Sequence, residues 1–468
     1  MMQKKEATIA VACIIAIALA VRAYFLFDFH ELWWDSAVYV AMAKYLFSLG
    51  HSGFWEPIRP VVWPIMLGFA WAANLDVLLY GKVLQIVLSA GVLYLTYKVS
   101  AIVFDRTTGV FAAAIFSASS IFLYSVFHLY TEIPALFFIM LSVYLLVRGK
   151  VFLSGVFLAV AVLTKFTMLI FAPALLVVFD VRTWLSSFRS STILFLGFFA
   201  GLSPFLAANL IAYRSALFPF VHAHKVILDV VGCNVLWYKP WYHYFQLFWQ
   251  ENPLYLVIPF SLVFLVDKYR PKRLIVASCF LFPFFYFLIL HCKDYRYMLT
   301  FLPFAAMLVA CFISAQLSKL PKWVLYLFLF TIIALSMPRA ILYYQDHEPV
   351  SASYVREGYY HFLGENISGE VWVSNPAISV YSDERLFPLY YPVFSEYHVI
   401  NFYQYLYFGE DRISHVFLDT CGGGIICHPN DIVCKKGLRD ILQLLHDHYE
   451  LVYNETEADC RYLVFRSS

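Results

Sequence analysis

Five short stretches of the sequence put ionisable side chains where a proton or an anion can be handled. In His30-Glu31-Leu32-Trp33-Trp34-Asp35-Ser36-Ala37-Val38-Tyr39, Asp35 opens a run whose apolar residues fit an amphipathic helix. A helix start fixes the direction of a carboxylate, so Asp35 suits a general base; it suits a plain N-cap equally well. Arg59 follows in Ile58-Arg59-Pro60, as an anion ligand or as an interfacial arginine reaching for headgroups. Glu132 sits in Tyr130-Thr131-Glu132-Ile133-Pro134, as a second acid–base group or as a first-turn helix charge beside a proline. Lys165, in Leu163-Thr164-Lys165-Phe166, lies between two apolar stretches too short to span comfortably. A lysine there is costly unless it reaches the outer interface or meets an anion. His291-Cys292-Lys293-Asp294-Tyr295-Arg296 supplies Lys293 and Arg296, with an internal pair to Asp294 as the plain alternative.

Other groups are less specific. His222, His224 and Lys225 stand in a polar loop over about 214–250 and can contact a substrate or simply face water. Two histidines at i, i+2 do not meet on one helix face, so a metal site is not indicated, although a divalent ion stays possible. No cofactor is required by any of these patterns. Cys421, Cys427, Cys434 and Cys460 have spacings without the Cys-x2-Cys knuckle of zinc sites, which favours two disulfides over a metal. Gly422, Gly423 and Gly424 are not followed by Gly-Lys-Ser/Thr, so they read as a turn and not as a phosphate loop.

The chain that must position these residues is very apolar. Of 468 residues, 62% are hydrophobic, 19% aromatic and only 14% charged, against roughly 25% charged in ordinary globular chains. An ordinary cytosolic enzyme, a disordered chain and a nucleic-acid binder are excluded. The net charge of +2 hides an asymmetry: residues 345–468 carry 8 Lys/Arg and 18 Asp/Glu (−10), and residues 1–344 carry 25 and 13 (+12).

Apolar runs of spanning or near-spanning length cover about 7–27, 78–97, 108–128, 133–148, 151–164, 166–179, 192–213, 252–267, 274–290, 298–317 and 323–343. The apolar segment 58–75 decides the topology. If it does not span, Lys4, Lys5, Lys98, Arg106, Arg148, Lys150, Lys319 and Lys322 all fall inside, as the positive-inside rule prefers. Pro57, Pro60 and Pro64 argue the same way. The expectation is eleven spans, a long external loop over 28–77, a cytoplasmic N-terminus and an external tail. All five chemical stretches then share the outer face.

The tail, 345–468, reads as a small α/β domain. Strands are expected at 371–374, 415–420 and 461–466, and a helix at 437–449. Its cysteines and its sequons at Asn366 and Asn454 suit an external compartment.

Taken together these motifs resemble the GT-C superfamily of integral-membrane glycosyltransferases, in the branch with protein O-mannosyltransferases and lipid A aminoarabinose transferase. Trp33-Trp34-Asp35-Ser36-Ala37-Val38-Tyr39 matches its acidic first-loop motif, with Ser36 where a second acid is common. Arg59-Pro60, Glu132 with Pro134, Leu163-Thr164-Lys165 with Pro173, and Lys293 to Pro303 match the later ones. The match covers about 1–320 and leaves the tail out. The resemblance implies a polytopic α-helical membrane domain over 1–344 and inverting transfer of a sugar from a polyprenyl- or dolichyl-phosphate donor to a lipid, glycan or protein acceptor on the outer face. It implies Asp35 as catalytic base, Glu132 as helper, and Arg59, Lys165, Lys293 and Arg296 around the donor phosphate. A polytopic transporter or lipid-linked sugar flippase is the alternative, but no internal repeat is evident and the charges gather at one face.

Overall fold

The structure, a computed structural model, describes residues 2–30, 32–177, 184–226, 237–266, 271–290, 292–318, 320–348, 353–362, 369–389, 413–419, 432–458 and 460–467. They form two compact units, 1–28 with 81–218 and 237–348, and 29–80 with 219–236 and 349–468.

The first unit is helical. It begins with α1 (Lys4–Tyr24), which is followed after the loop residues by α4 (Val77–Val103), the chain having passed through α2 (Trp34–Phe47) and α3 (Val62–Ala72) of the second unit. Next come α5 (Arg106–Ser117), α6 (Ser120–Ser125), α7 (Glu132–Val147), α8 (Val151–Thr164), α9 (Phe171–Leu176) and α10 (Trp184–Tyr213); α11 (Phe218–Val226) follows and belongs, after its first residue, to the second unit. Helices His243–Glu251, Ile258–Val266, Pro271–Ile289, Leu302–Leu317 and Lys322–His347 complete the first unit. Among the described residues, five helices are long and apolar enough to cross a membrane: α1, α4, Phe188–Tyr213 of α10, Lys272–Ile289 and Lys322–His347. Six apolar helices are shorter. One of them is α3, whose 11 residues reach about 16 Å at 1.5 Å per residue, half of the ~30 Å hydrocarbon core. The proline-rich segment 58–75 thus holds no helix long and apolar enough by itself to cross a membrane.

Two ends of this unit can be told apart. At one end, the Met2 amide donates to Thr107 Oγ1 (2.9 Å), and Lys322 Nζ meets Glu6 (3.3 Å), so α1, α5 and Lys322–His347 all start together. At the other, Phe25 packs on Tyr344 with ring centroids 4.5 Å apart. Lys4, Arg106 and Lys322 therefore share one end, and the chain leaves the last long helix at the other. Near that second end the polypeptide breaks its helices. Glu251 accepts from Ser119 Oγ and from the amides of Ser120 and Ile121 at 2.8–3.0 Å, so a buried carboxylate satisfies the donors exposed where α5 gives way to α6.

The second unit joins the first loop to the tail. Its sheet has the order β4-β3-β5-β7-β6, where β3 is Glu370–Val373, β4 Leu386–Pro388, β5 Ile413–Asp419, β6 Tyr449–Glu457 and β7 Cys460–Ser467. The strands β3, β4 and β5 run parallel, and β7 is antiparallel to β5 and β6. Helix Ile432–His448 lays Ile441 and Leu445, one turn apart, onto a core of Trp372, Ile413, Val416, Leu418, Leu463 and Phe465. The expected strands at 371–374, 415–420 and 461–466 and the helix at 437–449 are all present within a few residues. Strands β4 and β6 were not expected: both are sheet edges, and β6 is mostly polar, without the strict alternation of a half-buried strand.

Candidate active site

The second unit holds the first cluster. Asp35 lies one residue inside α2, whose N-cap is Trp33 with no side-chain capping bond. The carboxylate is thus not a cap. It receives Arg59 Nη1 at 2.7 Å across 24 residues of chain. The turn Glu56–Arg59, closed by the Arg59 amide on the Glu56 carbonyl (3.1 Å), brings the guanidinium back to α2. Arg59 Nε donates to Glu56 Oε1 (3.2 Å), so one guanidinium joins two carboxylates, and its face lies 5.8 Å from the Tyr39 ring. Glu56 is buried, and its Oε2 has no hydrogen-bond partner among the described residues. Burial pushes its carboxyl above the usual range, Arg59 pulls it back in part, and Asp35 adds a further upward push. Glu56 carries no sequence signal beyond its place three residues before an arginine.

The first unit holds the second cluster. Lys165 sits in extended backbone (φ −155°, ψ 113°) between α8 and the 3₁₀ turn Phe166–Ile170, so the helix breaks at the lysine. Its Nζ meets Glu132 Oε1 at 2.6 Å and lies 5.3 Å from the Tyr297 ring centroid. Glu132 is the first residue of α7 and is buried. Asp294 caps the 3₁₀ turn Tyr295–Thr300 through the Arg296 amide (2.8 Å) and takes that arginine's Nε and Nη2 at 2.9 and 2.8 Å. The guanidinium also stacks over Tyr130 at 4.6 Å. Next to Tyr130 stands His128, buried, ring-stacked at 5.3 Å and with Nε2 2.9 Å from Glu348, a further buried pair that the sequence did not suggest. Lys293, in the strand β2 (Cys292–Lys293) that pairs with β1 (Trp237–Tyr238), donates to the carbonyls of Leu290 and Lys239. Burial lowers its ammonium below the usual lysine range.

The sequence-predicted residues therefore meet in pairs, Asp35 with Arg59 and Glu132 with Lys165, while Arg296 pairs with its neighbour Asp294. Lys293 forms no ion pair among the described residues. His222 and His224 lie on α11, half-buried and exposed. The side chains of Lys225 and Cys434, and Cys421 and Cys427 altogether, lie outside the described residues, as does Asn366. Cys460 is disulfide-bonded. Among the described residues no group of three or more His, Cys, Asp or Glu is placed to hold a metal.

The described residues thus combine an apolar helical body with broken helices, ionisable residues at the breaks, and a small C-terminal α/β domain, and solved structures share this fold. Among solved structures, the chain is similar to ArnT from Cupriavidus metallidurans bound to undecaprenyl phosphate, with a TM-score of 0.67, 11% identity and 97% of each chain covered. It is similar to the same protein in the apo state, at 0.66 and 12%, with 98% of each covered. It is also similar to the apo Archaeoglobus fulgidus oligosaccharyltransferase, at 0.59 and 9%, over 89% of this chain and 70% of that one. No family model matches the sequence, and no curated protein does.

Proposed function

We propose that the chain is an inverting glycosyltransferase that moves a sugar from a polyprenyl- or dolichyl-phosphate donor to a lipid, glycan or protein acceptor outside the membrane. The observation that carries this reading is the pairing itself. Both carboxylates chosen from the sequence are held by cations chosen from the sequence, each across more than 20 residues, on a fold shared with ArnT. ArnT binding undecaprenyl phosphate and an oligosaccharyltransferase tethered to an acceptor peptide support a lipid-phosphate donor and a separate acceptor.

The reaction replaces a phosphate–sugar bond by an acceptor–sugar bond. The acceptor hydroxyl attacks the anomeric carbon from the face opposite the phosphate, which gives inversion. Asp35 takes the hydroxyl proton, and Glu132 orients the acceptor or assists. The phosphate leaves with the bonding pair and gains negative charge. Arg59, Lys165, Arg296 and Lys293 stabilise that charge through charge-assisted hydrogen bonds. Each salt bridge keeps its cation aligned before the donor arrives, so little side-chain entropy is lost on binding. The N-terminus is cytoplasmic and the tail external in this reading.

The test is incubation of purified protein with a panel of polyprenyl-phosphate sugars, with release of the lipid phosphate measured. Release from at least one donor is expected. No release from any, together with transport of a lipid-linked sugar in reconstituted vesicles, would replace the enzyme by a flippase.

A further inference from the structure

The external tail had no role legible in the sequence, and the second unit supplies one. Its segment 375–386 grips the first loop at four places. Ser379 Oγ donates to the Ala37 carbonyl at 3.0 Å, two residues after Asp35 on α2. Lys44, near the other end of α2, is buried and donates to the Ser382 carbonyl (2.9 Å), the Val380 carbonyl (3.4 Å) and Asp383 Oδ1 (2.8 Å). Trp71 Nε1 of α3 donates to the same Asp383 oxygen at 3.0 Å. Past α2, the Gly53 amide donates to the Glu384 carbonyl (2.8 Å) and the Leu386 amide to the Gly53 carbonyl (2.9 Å), so the loop extends the edge strand β4 by one parallel bridge. Gly53 has φ +67°, and a Cβ there would stand 2.2 Å from the Ala41 carbonyl oxygen. Only glycine lets the loop lie against α2 and β4 at once.

We infer that the external domain is part of the catalytic apparatus: segment 375–386 fixes the helix that carries Asp35 and the turn that carries Arg59, with Lys44 as the positioning residue. The inference rests on the reading of Asp35 as the base. Its physical ground is that α2 has no side-chain N-cap and its reacting carboxylate stands at its first turn. Such a helix needs outside contacts to hold a side chain within the roughly 0.5 Å that catalysis demands. The segment supplies them at both ends of α2 and three residues before Glu56. The Lys44 ammonium is satisfied by that segment. Burial lowers it below the usual lysine range even with Asp383 beside it. Burial also pushes Asp383 up, but its bonds from Lys44 and Trp71 outweigh that and hold it below the usual carboxylate range.

The test uses the full-length protein with Lys44→Met, Lys44→Arg and Asp383→Asn, the last a side chain that is 73% exposed and so places little burden on folding. Two readouts are taken: amide hydrogen exchange over 35–59, and kcat and KM with a lipid-phosphate sugar donor. Lys44→Met is expected to speed exchange over 35–59 and to lower kcat by about tenfold, with donor KM within about twofold, because a displacement near 1 Å costs up to ~10² in rate. Asp383→Asn is expected to give a smaller fall of the same kind, and Lys44→Arg to restore most of the loss. Unchanged exchange in both Lys44→Met and Asp383→Asn would overturn the inference whether or not any donor is turned over. Faster exchange with wild-type kcat would overturn it too, since the domain would then merely be attached to the loop. Failure of the glycosyltransferase reading shows separately, as absence of turnover in the wild type.

Discussion

The Asp35 carboxylate meets two opposed demands. Arg59 Nη1 holds its Oδ1 at 2.7 Å, and the proposed role asks the same carboxylate to take a proton. Asp35→Asn is expected to lower turnover by roughly 10²–10⁴-fold, the usual worth of a general base, with donor binding and folding retained. Near wild-type turnover would remove Asp35 from that role. Lys165→Ala should weaken lipid-phosphate binding by about 1.5–3 kcal/mol, the scale of one hydrogen bond to a charged group. It also leaves buried Glu132 unpaired, so the clean comparison is Lys165→Ala with Glu132→Gln; unchanged affinity there would take Lys165 out of the phosphate site. Glu56 gives a pH signature. Its carboxyl is raised by burial, so the folded chain keeps a proton that the unfolded chain has lost. The stability this adds is complete below the unfolded value of about 4.3 and is lost as pH rises through the folded value. Thermal melts should therefore show Glu56→Gln gaining on the wild type from pH 4 to pH 8, and a constant gap would contradict the raised carboxyl.

At the scale of elements, the placement of Lys165 depends on how α8 meets α10. A Cβ on Gly155 would stand 2.1 Å from the Leu194 carbonyl oxygen, and one on Gly197 2.1 Å from that of Phe152, so the two backbones touch. Gly197 and Gly201 have the small-xxx-small spacing that lets apolar helices approach closely. Gly197→Val should push α8 aside, cost about 1–3 kcal/mol by overpacking, and loosen the Lys165–Glu132 pair at the end of α8. A lower melting temperature and weaker donor binding are expected, with Leu196→Val on the exposed face as the neutral control; an unaffected Gly197→Val would separate the crossing from the site. The helix break at Lys165 was legible because two apolar runs too short to span flank a charge. The strands of the tail were legible where a buried face imposes an apolar run, and not at β4 or β6, which lie on sheet edges. Asp35 and Arg59 were each legible as candidates, but their pairing was not, because the Arg59 bond depends on a turn closed by Glu56. The Lys44–Asp383 link joins residues 339 positions apart, and no local pattern announces a contact of that separation.

At the scale of the whole chain, the charge asymmetry and the helix ends agree. Lys4, Arg106 and Lys322 gather where α1, α5 and Lys322–His347 begin, and Glu348 emerges beyond the opposite end of that last helix. Tyr130, which carries Arg296 on its ring, stacks on His128, and His128 meets Glu348, so the cation cluster of the first unit stands at the end where the tail departs. A basic end held inside by the membrane potential and by anionic lipid headgroups would put that cluster and the acidic tail outside together. The arrangement suits a reaction whose lipid donor is presented at the outer surface. It can be tested in intact cells with a membrane-impermeant maleimide, against the labelling of the native thiols. Tyr354→Cys, at the exposed start of the tail, should gain label without permeabilisation, and Lys150→Cys, in the short turn between α7 and α8, should gain it only after permeabilisation. The reverse pattern would invert the topology and, with it, the face on which Lys165 and Arg296 could act.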